Sequence, residues 1–286
     1  MRNAIGIDIG GTKIRAARVL ASGDIVDHRA EATAKTPAAV LAQIDAMIDA
    51  LADADSAAIG IGVPSRVNVT SGEIFEGGYV NLAGPPLATR LAKAGRRTVF
   101  VDNDASMALV GEARRGAGRG YSHSVLLTIG TGIGGAAMQD GRVLRGARTA
   151  GQFGHLTVDI DGPPCACGRR GCLETRSSGT ALGGLIAAQG LPETTTLEQL
   201  AAASDAVSQS LLSRWAGPLR AGIDSLVATL DPDAVILGGG LGAAACAALA
   251  RFPAVSPWFQ CPVVPATLGD RAGVIGAALA ALERAT

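Results

Sequence analysis

One pattern occurs twice in this chain and limits what the chain can fold into. An apolar run, Ala4–Ile9, ends in Gly10-Gly11-Thr12, continues into a second apolar run at Ile14–Leu20 and meets a hairpin signal at Ser22-Gly23-Asp24. About 120 residues later, Ser124–Ile129 ends in the turn Gly130-Thr131-Gly132-Ile133-Gly134-Gly135, followed by Ala136–Met138 and the hairpin signal Asp140-Gly141. Two copies of one strand–turn–strand unit predict an α/β protein of two similar lobes around a cleft. The small lobe is expected over 1–105 plus 271–286. The large lobe is expected over 106–270 and would carry the cysteine cluster and a nucleotide site. No low-complexity linker separates them.

The rest of the chain supplies the helices and strands that such lobes need. Val40, Leu41, Ile44, Met47, Ile48 and Leu51 share one helical face within Pro37–Ala52. Ala57–Val63 reads as a buried strand, and Thr98–Val101 as a short one running into Asp102-Asn103-Asp104, with a helix to about Arg115. Helices are expected at Leu197–Ala206 and Leu211–Leu230, broken by Asp231-Pro232-Asp233. Ala234–Leu237 is a strand ending in Gly238-Gly239-Gly240, and Ala272–Arg284 is an apolar helix with Asp270 near its start.

Charge and cysteine usage exclude several classes. With 25 basic and 25 acidic residues the formal net charge is zero, so no polyanion-binding surface and no nucleic-acid partner are expected. No run of about 18 apolar residues exists to span a membrane. Asp8 and Lys13 interrupt the apolar opening, which does not read as a secretory signal, so a cytoplasmic protein is expected. Of the five cysteines, Cys165, Cys167 and Cys172 fall within eight residues, while Cys246 and Cys261 stand alone. An odd count with one cluster favours a metal site over a disulfide framework.

Three glycine clusters follow strands. In Asp8-x-Gly10-Gly11-Thr12-Lys13 the glycines let backbone N–H groups approach a phosphate, Thr12 adds a hydroxyl donor and Lys13 a cation. Asp8 would repel a phosphate unless a metal lay between, which makes it a candidate for positioning Mg²⁺, directly or through water. A hairpin that simply needs glycine explains one such turn equally well. Gly130, Thr131 and Gly132 repeat the chemistry, and two such turns could clasp a triphosphate. Gly238 and Gly239 could open a slot for adenine. Neither a Walker loop nor a dinucleotide-binding fingerprint fits.

Asp102, Asn103 and Asp104 stand at a strand-to-helix junction, where Asn and Asp commonly cap helices. The alternative is chemical: Asp104 as the general base that takes a hydroxyl proton, and Asn103 as a donor and acceptor for a sugar hydroxyl. His155-x₉-Cys165-x-Cys167-x₄-Cys172 supplies the one imidazole and three thiolates of a structural zinc site, with Gly162, Pro163, Pro164, Gly168 and Gly171 to turn the chain around one ion. Zinc would also fix the His155 ring, leaving its other nitrogen for substrate.

The segments IGIDIGGTKI, VDNDASMALVGE, LLTIGTGIGGAAMQDGRVLRG, AGQFGH, CACGRRGCLE, VILGGGLG and GVIGAALA resemble, in order and over nearly the whole chain, those of the ROK family of sugar kinases and sugar-responsive repressors. The resemblance implies an actin-like (ribonuclease H-like) ATPase fold and ATP- and Mg²⁺-dependent phosphorylation of a hexose hydroxyl, expected to be the 6-OH. It also implies Asp104 as base, a structural Zn²⁺ and a homodimer or homotetramer. The sugar ligands it implies are Arg66, Asn81, Asn103, Asp104, Gln152, His155 and Glu174. Two positions depart from the glucokinase pattern: Gln152 stands where Glu is usual, and Ser106 where Asn is common. Ser65-Arg66-Val67-Asn68 resembles the Gly-Arg-Val-Asn of N-acetylmannosamine kinases, so glucose and N-acetylmannosamine compete as substrate. The repressors of the family carry an added helix-turn-helix. Here the first glycine turn begins within ten residues of the start, and a kinase is expected instead.

Overall fold

Residues 2–75, 81–83, 87, 91, 98–147 and 150–285 are described in a computed structural model of the chain. They form two compact units, one of residues 1–119, 145–150 and 270–286, the other of residues 120–144 and 151–269.

The first unit is built on a five-stranded sheet. Its strands are β1 (Asn3–Ile9), β2 (Lys13–Leu20), β3 (Ile25–Ala32), β4 (Ser56–Val63) and β7 (Thr98–Asn103), in the order β3-β2-β1-β4-β7. β1 pairs antiparallel with β2 and parallel with β4, and β4 pairs parallel with β7. Between β4 and β7 lie the short antiparallel strands β5 (Val67–Asn68) and β6 (Glu73–Ile74). Helix α1 (Pro37–Leu51), capped by the Thr36 side chain, packs Val40, Ile44 and Met47 against Ile5, Ile7, Ile9, Ile59 and Ile61.

The alternation Ile-Gly-Ile in β1 and β4 has a direct structural cause. Successive strand residues face opposite sides, so isoleucines meet α1 while Gly6 and Gly60 face α8 (Ala272–Arg284). A Cβ on Gly6 would lie 1.9 Å from the Val274 carbonyl oxygen, and one on Gly60 1.8 Å from that of Ala277. The helix backbone therefore rests directly on the sheet. Helix α2 (Asp104–Arg115) packs as closely: a Cβ on Gly276 would lie 1.7 Å from the Met107 carbonyl oxygen. Because α2 belongs with α8, the first unit runs past the boundary expected near residue 105 to Arg119.

The second unit repeats the arrangement. Its strands are β8 (Ser124–Ile129), β9 (Ile133–Gln139), β10 (Arg142–Val143), β11 (Ala234–Gly238) and β12 (Val263–Pro265), in the order β10-β9-β8-β11-β12. β8 pairs antiparallel with β9 and parallel with β11, as β1 does with β2 and β4. Its helices are α3 (Leu173–Ser177), α4 (Gly179–Ala188), α5 (Leu197–Ala202), α6 (Ala206–Leu230) and α7 (Gly242–Leu249). The helix expected at Leu197–Ala206 stops at Ala202, and α6 starts earlier than Leu211 because the Asp205 side chain caps it by accepting from Ser208 N. The core gathers Val125, Leu127, Val235 and Leu237 around Leu212, Trp215 and Leu219 of α6. Among the described residues no helix is long and apolar enough to cross a membrane.

Candidate active site

In the first unit the chemistry collects at the ends of parallel strands. Asp8 is at the end of β1, and in the sheet it is level with Gly62 of β4, which is level with Asp102 of β7. Asn103 is the N-cap of α2: its Oδ1 accepts from the N–H groups of Ala105 (3.0 Å) and Ser106 (3.3 Å), and its Nδ2 donates to the Ser65 carbonyl (3.2 Å). That commits most of the Asn103 amide. Asp104, the next residue, accepts from the Ala105 N–H (2.8 Å) and is also hydrogen-bonded by the Asn103 side chain. The capping expected somewhere in Asp102–Asp104 thus falls on Asn103. Burial, then the nearby Asp8 carboxylate, push the Asp104 pKa up to about 7 against a pull from the Ala105 N–H. Burial raises Asp8 to about 6, tempered by Arg15 and reinforced by Asp270. Asp8 also needs Gly273 beside it, since a Cβ there would come within 2.6 Å of its carboxyl carbon.

Asp102 is handled differently. It is 4 % exposed, and Arg145 donates to its Oδ2 from both Nε (3.0 Å) and Nη2 (2.8 Å). Burial raises its pKa, and the Arg145 charge opposes the rise. Arg284 lies 4.0 Å over the Phe100 ring in the same cluster. Nothing in the sequence marks Arg145 beyond its place in the matching Leu144-Arg145-Gly146 segment. Lys13, Gly11 and Thr12 are exposed at the first turn, which Thr33 fastens through its hydroxyl to the Gly10 carbonyl (2.7 Å) and its N–H to the Thr12 carbonyl (3.0 Å). Arg66 lies 5.6 Å from the Phe75 ring centre, and exposed Asn81 accepts from the Ala83 N–H.

In the second unit the Gly130–Gly132 turn closes on itself through Gly130 N–H to the Gly132 carbonyl (2.9 Å). Gly239 adopts φ +75° beside it, and a Cβ there would sit 2.4 Å from the Ile129 carbonyl oxygen, so this position requires glycine. Gly238 and Gly239 are therefore neighbours of the turn. Phe153, Gly154 and His155 form a short 3-10 turn, and the Gln152 side chain before it makes no capping bond. Glu174 accepts at Oε2 from the Ile133 N–H (2.8 Å).

His155, Cys165, Cys167 and Cys172 converge, all four ligand atoms lying within 4.8 Å of one another. The His155 Nδ1 to Cys165 Sγ distance is 3.5 Å and the Cys167 to Cys172 Sγ distance 3.6 Å. A tetrahedral site with zinc–sulfur bonds of about 2.3 Å has ligand edges of about 3.8 Å, so the residues fit this ion. The Arg169 backbone N–H draws the Cys167 thiol down to about 7, which favours a thiolate ligand. Cys246 and Cys261 are free and stand apart from the cluster.

Comparison with known proteins finds relatives over nearly the whole chain. A family model described as ROK family matches residues 4–284. The chain is 33% identical over 306 aligned residues to the glucokinase of Halalkalibacterium halodurans, with 95% of this chain and 92% of that one covered. It is 32% identical to the N-acetylmannosamine kinase of Shigella boydii, with 97% of each covered. Among solved structures, a ROK family glucokinase from Streptomyces griseus in complex with glucose and AMPPNP is 29% identical with a TM-score of 0.81, over 98% of this chain and 99% of that chain.

Proposed function

The chain belongs to the ROK family, and from that membership we propose that it is an ATP-dependent hexose kinase of the glucokinase kind, with the actin-like ATPase fold. The observation that carries the mechanism is Asp104: a half-buried carboxylate, relieved of capping by Asn103, with its pKa at about 7. A general base works best when its pKa lies near the working pH. In the proposed step Asp104 accepts the proton of a sugar hydroxyl, expected to be the 6-OH. The freed oxygen forms a bond to the γ-phosphorus, and the bond from that phosphorus to the β-phosphate bridging oxygen breaks to release ADP.

Around this base the proposed sugar ligands are Arg66, Asn81, Asn103, Gln152, His155 and Glu174. The proposed nucleotide contacts are Gly10, Gly11, Thr12 and Lys13 of the first turn, Gly130, Thr131 and Gly132 of the second, and Gly238 and Gly239. Asp8 would position Mg²⁺, and a cation beside it would relieve the burial that raises its pKa. Bound there, Mg²⁺ would neutralise phosphate charge. His155, Cys165, Cys167 and Cys172 would hold a structural zinc, fixing the 155–174 segment. A cytoplasmic homodimer or homotetramer is the assembly that fits the family.

A second reading, N-acetylmannosamine kinase, is favoured by Gln152, since its amide can donate to an acetamido carbonyl where a carboxylate only accepts. The deciding experiment measures ADP release with glucose, mannose, N-acetylglucosamine and N-acetylmannosamine, alongside elemental analysis for zinc. Turnover with no hexose or amino sugar would defeat the proposal. Preference for N-acetylmannosamine over glucose would select the second reading.

A further inference from the structure

The Gly130–Gly132 turn is held largely from outside itself. Glycines lose the most conformational freedom on ordering, and among the described residues the bond that closes the turn is Gly130 N–H to the Gly132 carbonyl. Beyond the β8–β9 ladder that flanks the turn, further restraints come from one short stretch of chain. The Gly179 N–H donates to the Gly130 carbonyl (2.7 Å), the Thr180 hydroxyl to the Thr131 carbonyl (2.8 Å), and the Ile133 N–H to Glu174 Oε2 (2.8 Å). Of these, the Glu174 bond alone has an ionised partner, and such bonds are roughly twice as strong as neutral ones.

The stretch that supplies these bonds is itself anchored twice. Cys172, one of the four convergent metal-site residues, is the N-cap of α3, and the next residue, Leu173, donates its N–H to the Leu156 carbonyl (2.8 Å). At the other end of α3, Ser177 Oγ donates to the Trp215 carbonyl and Trp215 Nε1 to the Ser178 carbonyl, with Trp215 wholly buried. Glu174 therefore stands on a fixed short helix, two residues past the metal-site cysteine, and reaches the first amide after the glycine turn.

We propose that Glu174 is a positioning residue for the nucleotide turn: its Oε2 holds the Ile133 amide and so sets the shape of Gly130–Gly132 before any sugar binds. This rests on the kinase reading, in which the turn meets phosphate and Glu174 meets sugar. A carboxylate has two oxygens, so one can hold the turn while Oε1 remains for a hydroxyl. The metal cluster then acts on the nucleotide side as well as the sugar side, through two residues of chain.

The test is the affinity of sugar-free protein for Mg²⁺–AMPPNP by titration calorimetry, for wild type, Glu174→Ala and Glu174→Gln, with zinc content and thermal melting recorded for each. Glu174→Ala should weaken nucleotide binding by about 10-fold, as loss of one charge-assisted bond allows, with zinc content unchanged. Glu174→Gln keeps an acceptor oxygen and nearly the same shape, so about 3-fold is expected, and it serves if the alanine variant folds poorly. Unchanged nucleotide affinity in the folded variants, with only the hexose KM raised, would overturn the proposal and leave Glu174 a sugar ligand alone. Wild type that binds no nucleotide would overturn the kinase reading and this proposal together, an outcome visible before any variant is made.

Discussion

The two sheets share an order and a pairing scheme, yet their strand ends are chemically unlike. Counting across each sheet from its first glycine turn, Asp8 of the first unit corresponds to Thr128 of the second, Gly62 to Gly238, and Asp102 to Ala266. Arg15, opposite Asp8, corresponds to Gly134. One copy thus places acids and an arginine where the other places a hydroxyl, glycine and alanine. Backbone N–H groups at an uncharged glycine turn suit an anion. Carboxylates at strand ends suit a proton or a cation. A duplicated scaffold has been divided by charge, with the acids gathered in the first unit.

Removing the decisive acid should give the largest effect. Asp104→Asn is expected to lower kcat by on the order of 10²–10⁴-fold, while the α2 cap on Asn103 stays intact; steady-state kinetics and circular dichroism together check it. The second largest concerns the acid that the first unit neutralises. Arg145→Ala would leave Asp102 buried without its bidentate partner, a loss of about 3 kcal/mol for a broken buried pair. Denaturant unfolding would read it, and a loss well under 1 kcal/mol would mean that Asp102 protonates at little cost.

The acid end should also carry a pH signature in metal-free protein. Asp104 has a native pKa of about 7 against 3.8 in an unfolded chain. Below pH 3.8 the carboxyl is protonated in both folded and unfolded chains and contributes no difference. Between there and pH 7 the native state keeps a proton the unfolded state has lost, so stability falls as pH rises, and the loss is complete above 7. Asp104→Asn should therefore be more stable than wild type at pH 8, by roughly 2–3 kcal/mol once the shift is discounted for the partial exposure of Asp104, with the gain fading toward pH 4. Equal stabilities at both pH values would remove burial as the source of the shift. The smallest effect comes from adding an acid to the second unit. Gln152→Glu should raise kcat/KM for glucose relative to N-acetylmannosamine by about 10-fold, or 1.4 kcal/mol, and an unchanged ratio would make this position neutral.

Much of the scaffold was legible because its signals are local. The Ile-Gly alternation, the glycine turns and the apolar spacing of residues 37–52 each act within a few positions, and the strands and helix formed where those signals fall. The Cys-x-Cys-x₄-Cys spacing likewise brought its thiols together with His155. What escaped were pairings made across the fold: Arg145 with Asp102, 43 residues apart, and Glu174 with Ile133, 41 apart. Nothing near either residue marks its partner, since the contact exists only after the sheets form. Asp104 lies between these cases. The sequence named the junction, but only the structure assigned the cap to Asn103.

The seating of α8 on bare glycines has a consequence for the order in which the chain matures. Eleven of its thirteen residues are buried, from Ala272 to Leu282, against β1, β4 and α2. The ribosome makes those strands and α2 long before it makes this helix. Between Arg119 and Ala272 lie about 150 residues, roughly 8–30 s of synthesis at 5–20 residues per second. Throughout that interval the part of the first sheet that α8 covers lies without it, and Gly6 and Gly60 there offer no side chains with which to collapse on something else. The second unit, drawn almost wholly from residues 120–269, has all its strands and helices in hand first. In this protein the half that is begun first is the half that must be finished last.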